Sequence, residues 1–237
     1  MFDKSRKYSY AAQKKQRRRK RWFFLWLFIF FILHTILTTF IFSFRVLENE
    51  TMQPGLQRGD RFVFSSYRVN SFFPGRSNLL RRGNIVLIDK TIGSDHNFFY
   101  LTMDKILRFF TAQRFGLGQR EGEQFIKRVI GLPGDEINMN NFLVRVRPSG
   151  EMHSFTEFEL WDRPYESIYP SIPAIWDDSL PFSGIMETII VGPNECFVLS
   201  DDRSNTNDSR TWGPIPLSMI SGKALFRYWP FPRLGVP

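Results

Sequence analysis

The chain has 237 residues, a formal net charge of +9 and a single cysteine. Its length allows one or two domains with a real core, and the lone Cys196 excludes an intrachain disulfide and reads as a sequestered core thiol. The charge does not point to nucleic acid. Residues 1–21 hold ten Lys or Arg against one Asp, whereas the rest hold 22 basic and 22 acidic side chains, so the body has no basic excess to set against a phosphate backbone.

The basic tail is followed by Trp22 to Phe44, a run of 23 residues without a formal charge. As a helix it would be roughly 35 Å long, enough to cross a bilayer core of about 30 Å with some tilt. It is too long for the apolar part of a cleavable leader, and it ends in Phe42-Ser43-Phe44-Arg45, a poor cleavage site, so an uncleaved anchor is expected. Lys14, Lys15 and Arg17 to Arg21 abut the run on one side, while Arg45 on the other stands among Glu48 and Glu50. The positive-inside rule then places residues 1–21 in the cytoplasm and the body outside it. His34, in mid-span, is expected to be neutral and bonded to a neighbouring carbonyl or Thr hydroxyl.

Beyond the anchor, short strands are expected at 61–67, 84–89, 124–130, 196–199 and 224–228, from their β-branched and aromatic content between Gly, Pro, Asn and Asp. Gly131-Leu132-Pro133-Gly134-Asp135 ends the third of these in a turn, with Gly134 supplying the positive φ. The fold class is therefore mainly β. Residues 98–118 are apolar and long enough to favour a helix, which could pack on the sheet or rest on a bilayer. Residues 138–194 read as an inserted subdomain.

No metal-spaced cluster of Asp, Glu and His is visible, and no Gly-rich phosphate loop. One lysine stands out. Period two along Phe125-Ile126-Lys127-Arg128-Val129-Ile130 puts Lys127 on one face with Phe125 and Val129, and Arg128 on the other with Ile126 and Ile130. Were that first face buried, Lys127 would be desolvated, its pKa would fall, and it could act as a general base. The alternative is a strand lysine that snorkels to solvent.

Four segments, in order, resemble the sequence boxes of the type I signal peptidases, membrane serine proteases that use a Ser/Lys dyad. They are Thr51-Met52-Gln53-Pro54-Gly55-Leu56 with Gly59-Asp60, then Arg82-Gly83-Asn84-Ile85-Val86, then Phe125 to Asp135, and last Ser200 to Gly213. The resemblance implies an extended β fold on the outer membrane surface, removal of signal peptides from secretory precursors after small residues, and no metal or other cofactor. It implies Thr51 in the nucleophile position and Lys127 as its base. It also implies Asn49 in place of the oxyanion-hole serine and Thr206 in place of the serine that bonds the lysine. Asp208 and Arg210 match a structural ion pair, and Leu47, Met52 and Ile126 match subsite positions. The chain departs from the family pattern at Thr51, where a serine is usual, at Ser200, where a glycine is usual, and at Asp202, where an asparagine is usual. Thr keeps the hydroxyl and adds a methyl that restricts χ1. Glu48 and Glu50 flank Thr51, and a carboxylate near Lys127 would raise its pKa.

The expected organisation is a cytoplasmic tail over 1–21, an anchor over 22–44 and an extracytoplasmic peptidase domain over 45–237, with inserts at about 91–123 and 138–194. The expected function is signal-peptide removal by a Thr51/Lys127 dyad, with secretory precursors and the lipid bilayer as partners and no nucleic acid. The alternative is a catalytically impaired relative that binds precursors. A self-cleaving repressor peptidase would share the chemistry, but the anchor and the want of a DNA-binding segment argue against it.

Overall fold

The computed structural model describes residues 10–36, 41–66, 80–89, 103, 107, 124–161, 163, 165–171 and 184–237. The chain divides into two units, Met1–Ile41 and Phe42–Pro237. The first is described as one helix, α1 (Tyr10–Ile36), basic over its first half and apolar over its second. From Trp22 to Phe30 every side chain is exposed, so the apolar half is greasy around its whole circumference. The sequence alone suggested one long helix to Phe44. Instead Phe42–Phe44 lie in a strand, and the apolar part of α1 spans roughly 22 Å at 1.5 Å per residue. Among the described residues, no helix is long and apolar enough to cross a membrane.

The second unit is mainly β. Its larger sheet has seven strands: β1 (Phe42–Val46), β2 (Arg61–Ser66), β3 (Ile85–Asp89), β4 (Gln124–Gly131), β9 (Glu195–Leu199), β10 (Ile215–Pro216) and β11 (Ile220–Trp229). Their order across the sheet is β1-β2-β11-β3-β4-β9-β10. All six neighbouring pairs are antiparallel. The strands expected from sequence at 61–67, 84–89, 124–130, 196–199 and 224–228 are β2, β3, β4, β9 and part of β11. A four-stranded sheet, ordered β7-β6-β5-β8, is made of β5 (Glu136–Asn140), β6 (Leu143–Arg147), β7 (Phe155–Thr156) and β8 (Met186–Ile190). Apart from Glu136 and Ile137, these strands fall in the stretch 138–194 read from sequence as an inserted subdomain. The apolar segment 98–118 lies outside the described residues apart from Met103 and Leu107, both helical.

β4 is an interior strand, and from Phe125 to Gly131 every residue is buried. One face contributes Phe125 and Val129 to a core with Val86, Ile88, Cys196, Val198, Ile215 and Ile220. The other sends Ile126 to a cluster with Leu47, Met52 and Leu56, and Ile130 to a cluster shared with the smaller sheet. Cys196 is fully buried, and burial pushes its thiol up to about 12, which leaves it chemically inert.

Two turns position the site. After β4, Pro133-Gly134 turns with φ +86° at Gly134, and Asp135 caps it by accepting from the Leu132 N–H at 2.7 Å and from Arg82 at 2.8 and 3.1 Å. Gly83, at φ +80°, lies so close beneath the Trp161 ring that a Cβ there would sit 2.1 Å from it. Its carbonyl accepts from Arg128 at 2.9 Å. Any side chain at residue 83 would push Trp161 away and strain the turn.

Candidate active site

Lys127 sits in the middle of β4 and is fully buried. Strand alternation puts it on the face with Phe125 and Val129, as expected from sequence. Burial is the largest influence on its amine and lowers the pKa from 10.5 to about 8. Asp208 opposes this shift, Arg210 adds to it, and Asp201 and Asp202 oppose it more weakly. Glu48 and Glu50, which the sequence placed under suspicion, are both exposed.

Lys127 Nζ donates to Ser200 Oγ at 2.7 Å, and both groups are buried. The resemblance had put this bond on Thr206. Here the Thr206 carbonyl accepts from the Asp208 N–H at 2.8 Å and from Thr211 Oγ1 at 2.6 Å.

Thr51 lies in the turn that follows β1 and is 9% exposed, unlike the sealed Ser200. Its hydroxyl donates to Asn49 Oδ1 at 3.0 Å, which leaves Asn49 Nδ2 as the donor end of that amide. Its carbonyl accepts from the Asp202 N–H at 3.0 Å, so the segment carrying the hydroxyl is fastened to the loop after β9. Leu47, Met52 and Ile126 lie together in one buried apolar cluster with Leu56, Phe62, Phe64, Ile85, Leu87 and Ala224.

The loop from Ser200 to Arg210 is held from within. Asp208 is fully buried and caps the short helix α2 (Ser209–Trp212), accepting from the Arg210 N–H at 3.1 Å and from the Ser200 N–H at 3.0 Å. Arg210 donates to both Asp208 oxygens, at 2.9 and 2.8 Å, to the Arg203 carbonyl at 2.8 Å, and to the Asn205 carbonyl. Burial by itself would raise the Asp208 carboxyl. The bonds and charge of Arg210, with the two backbone donors, outweigh it and hold the pKa below the ordinary value. The pair matched from sequence is therefore a buried clamp on the loop.

Sequence reading missed a second charged layer. Arg128, on the opposite face of β4 from Lys127, makes a two-pronged bond to Asp201 at 2.7 and 2.5 Å and stacks 4.1 Å from the centre of the Tyr165 ring. Arg203, fully buried, donates to Glu157 at 2.5 Å, and Tyr165 donates to the same Glu157 oxygen at 2.6 Å. The signal available was the run of charges at 201–203 beside an apolar strand, which requires partners if buried. The partners Glu157 and Tyr165 come from the stretch read as an inserted subdomain. That stretch also supplies Ser167 and Ile168, which bridge to Pro54 and Asp202 on either side of the Thr51 turn.

A buried lysine of lowered pKa, a loop stiffened by an ion pair and a threonine hydroxyl bonded to Asn49 are groups of the kind that hydroxyl/amine chemistry uses. The family profile described as "Signal peptidase, peptidase S26" matches residues 19–229. Signal peptidase I of Bacillus caldolyticus is 31% identical over 183 residues, covering 73% of this chain and 84% of the relative. A probable signal peptidase I-2 of Synechocystis sp. is 27% identical over 207 residues, covering 86% and 71%. Signal peptidase IB of Staphylococcus aureus is 24% identical over 203 residues, covering 85% of each chain. With the profile matched along most of its length and all four boxes within the match, the chain belongs to the signal peptidase family, peptidase S26.

Proposed function

We propose that this protein is a membrane-anchored endopeptidase that removes signal peptides from secreted precursors, with Thr51 as the attacking hydroxyl and Lys127 as its base. The observation that carries this reading is the burial of Lys127, which brings its pKa to about 8. An amine in that range is neutral in a useful fraction near neutral pH and still basic enough to take a proton. Membership of the peptidase family and the likeness to enzymes named signal peptidase I supply the reaction class.

The chemistry runs in two halves. Thr51 turns its hydroxyl proton from Asn49 Oδ1 to Lys127 Nζ. As the amine takes the proton, Oγ1 attacks the carbonyl carbon of the −1 residue and the carbonyl oxygen gains the electron pair. Asn49 Nδ2 donates to that oxyanion. Collapse expels the amine of the mature chain, which receives the proton from the Lys127 ammonium and leaves an ester on Thr51. Water then attacks the ester, with Lys127 again as base, and releases the signal peptide as a carboxylate.

Anchoring is supported by α1, whose basic half is followed by aromatic and aliphatic side chains exposed on every side. The basic half is read as cytoplasmic and the β unit, from Phe42 onward, as extracytoplasmic. Secretory precursors and the bilayer are the partners of this reading. No step requires a cofactor or nucleic acid.

A catalytically impaired precursor-binding relative is the second reading. It is favoured by one observation: the hydroxyl bonded to Lys127 belongs to Ser200, while that of Thr51 is bonded to Asn49. The test is incubation of full-length protein in detergent with a secretory precursor, and mass spectrometry of the product. Release of a fragment beginning at the mature N-terminus, lost with Lys127→Arg, supports the enzyme. Tight binding without a new N-terminus supports the second reading.

A further inference from the structure

We infer that Ser200 is the positioning residue for Lys127 in this chain, taking the place that the family pattern gives to the hydroxyl at residue 206. The inference rests on the reading of Lys127 as the base.

The register of the sheet requires the pairing. β4 and β9 are antiparallel, with Arg128 opposite Leu199 and Val129 opposite Val198. Continued one step past the end of β9, that register places Lys127 across from Ser200. A glycine at residue 200, as in the family pattern, would offer Lys127 no side-chain acceptor. Serine fills that space with a hydroxyl, and the 2.7 Å bond to Nζ is the result.

Ser200 is itself fixed. Its N–H donates to Asp208 Oδ2 at 3.0 Å, and Asp208 is gripped by Arg210 through both carboxylate oxygens. Residue 200 is fully buried, so its hydroxyl cannot reach a substrate carbonyl, and its role is to hold the amine. Two residues on, Asp202 is bonded to the Thr51 carbonyl. The start of one loop, held by the Asp208–Arg210 pair, thus meets the amine with the Ser200 side chain and the Thr51 turn with the Asp202 backbone N–H. Thr206 lies farther along that loop, where its carbonyl serves the start of α2.

An acceptor at Nζ restricts the rotation of the amine and favours its protonated form. The other groups that act on Lys127 are Asp208, Arg210, Asp201 and Asp202, and none of them changes in a Ser200 variant. Removing the hydroxyl should therefore lower kcat with little change in KM, and should lower the apparent pKa of Lys127. A residue of purely structural importance would lower the amount of folded protein and leave both untouched.

The experiment compares full-length wild type, Ser200→Ala, Ser200→Thr, Thr206→Ala and Thr51→Ala in detergent. It measures precursor cleavage across pH and the titration of Lys127 by NMR of 13C-labelled lysine. The expected result is a kcat loss of about tenfold in Ser200→Ala, a Lys127 titration moved to lower pH, and recovery of both in Ser200→Thr. Thr206→Ala should move the titration little. Rates and titration within twofold and 0.2 pH, as rough limits, of wild type in Ser200→Ala would overturn the inference. So would complete loss in Ser200→Ala with undiminished cleavage by Thr51→Ala, which would make Ser200 the nucleophile. A wild type that never cleaves, yet whose Lys127 titration depends on Ser200, would remove the dyad reading and with it the catalytic role given to Ser200.

Discussion

The Asp202 N–H donates to the Thr51 carbonyl at 3.0 Å, joining two segments that lie about 150 residues apart in sequence. Through this bond the turn bearing the hydroxyl shares a scaffold with the loop that faces Lys127. The site is thus assembled from the first, third and last of the four boxes, with the second supplying Arg82 and Gly83 to brace β4 from the side.

Lys127 must be neutral to take the Thr51 proton. Its pKa of about 8 means that cleavage should rise with pH through roughly that value and fall as the amine is protonated below it. Lys127→Arg keeps the charge but cannot deprotonate, and should abolish cleavage while the protein stays folded. Initial rates between about pH 6 and 10 check both points; a flat profile, or a normal rate in Lys127→Arg, contradicts the dyad.

The same shift has a consequence for stability. The folded protein binds the Lys127 proton less tightly than the unfolded chain, so between about 8 and 10.5 the unfolded state holds more protons and stability rises with pH. Below pH 8 the full penalty remains, about 3 kcal/mol at 1.36 kcal/mol per pKa unit. Lys127→Met should therefore be more stable than wild type at pH 7, and the advantage should shrink toward pH 10. Urea unfolding at several pH values reads this directly. A Met variant less stable than wild type at pH 7 would mean that the amine is not held at this cost.

Asp208 behaves in the opposite sense. Its carboxyl is held below the ordinary value, so its contribution is complete above the unfolded carboxylate pKa and is lost as pH falls through and below that range. Asp208→Ala strands the Arg210 guanidinium and the Ser200 N–H in a buried site, at a cost of about 3–5 kcal/mol. Arg210→Met should also loosen the loop, because the Arg203 and Asn205 carbonyls lose their donor. Thermal unfolding of each variant, with hydrogen exchange over 200–210, measures the effect; wild-type stability in Asp208→Ala would show that the clamp carries no load.

Substrate choice follows from the apolar cluster of Leu47, Met52 and Ile126 beside the Thr51 turn. With Met52 fully buried and Leu47 and Ile126 nearly so, little room remains for a large side chain. Ala, Gly or Ser at −1 should be cleaved, and Phe or Lys there should reduce kcat/KM by at least about 100-fold. Precursors differing only at −1 provide the comparison. Equal rates for Ala and Phe would refute this reading of the cluster.

Orientation is tested independently of catalysis. The charge step along α1 predicts a cytoplasmic N-terminus and an extracytoplasmic reporter after Pro237. Protease added to sealed right-side-out vesicles should digest the β unit. Full protection of that unit would reverse the topology.

Much of the larger sheet was legible because its strands are buried on both faces or bounded by turn residues. β4 is an example, with an apolar run ended by Gly131-Leu132-Pro133-Gly134. The hairpin of β5 and β6 was missed although its alternation is regular, with Ile137, Met139, Val144 and Val146 inward. Asn138 and Asn140 dilute its β propensity, and its turn is made by Asn141 and Phe142 at positive φ, where Phe is not a turn signal. Period two put Lys127 on a face with Phe125 and Val129, but the resemblance to the lysine box, not the period, singled it out, since both faces of β4 are buried. Its partner was not legible, because whether residue 200 or residue 206 meets it depends on the pairing of β9 with β4. Strand pairing is a tertiary choice, and a single sequence shows only the elements that compete for it.

Thr51 is the residue on which the proposed activity turns. The most direct measurement is a single-turnover cleavage assay of one precursor by wild type, Thr51→Ala and Thr51→Ser. Thr51→Ala should lose cleavage altogether, since the proposed attacking hydroxyl is then gone. Thr51→Ser should match or exceed wild type, because removing the methyl frees χ1 for the turn from Asn49 to Lys127. Undiminished cleavage by Thr51→Ala would contradict the account.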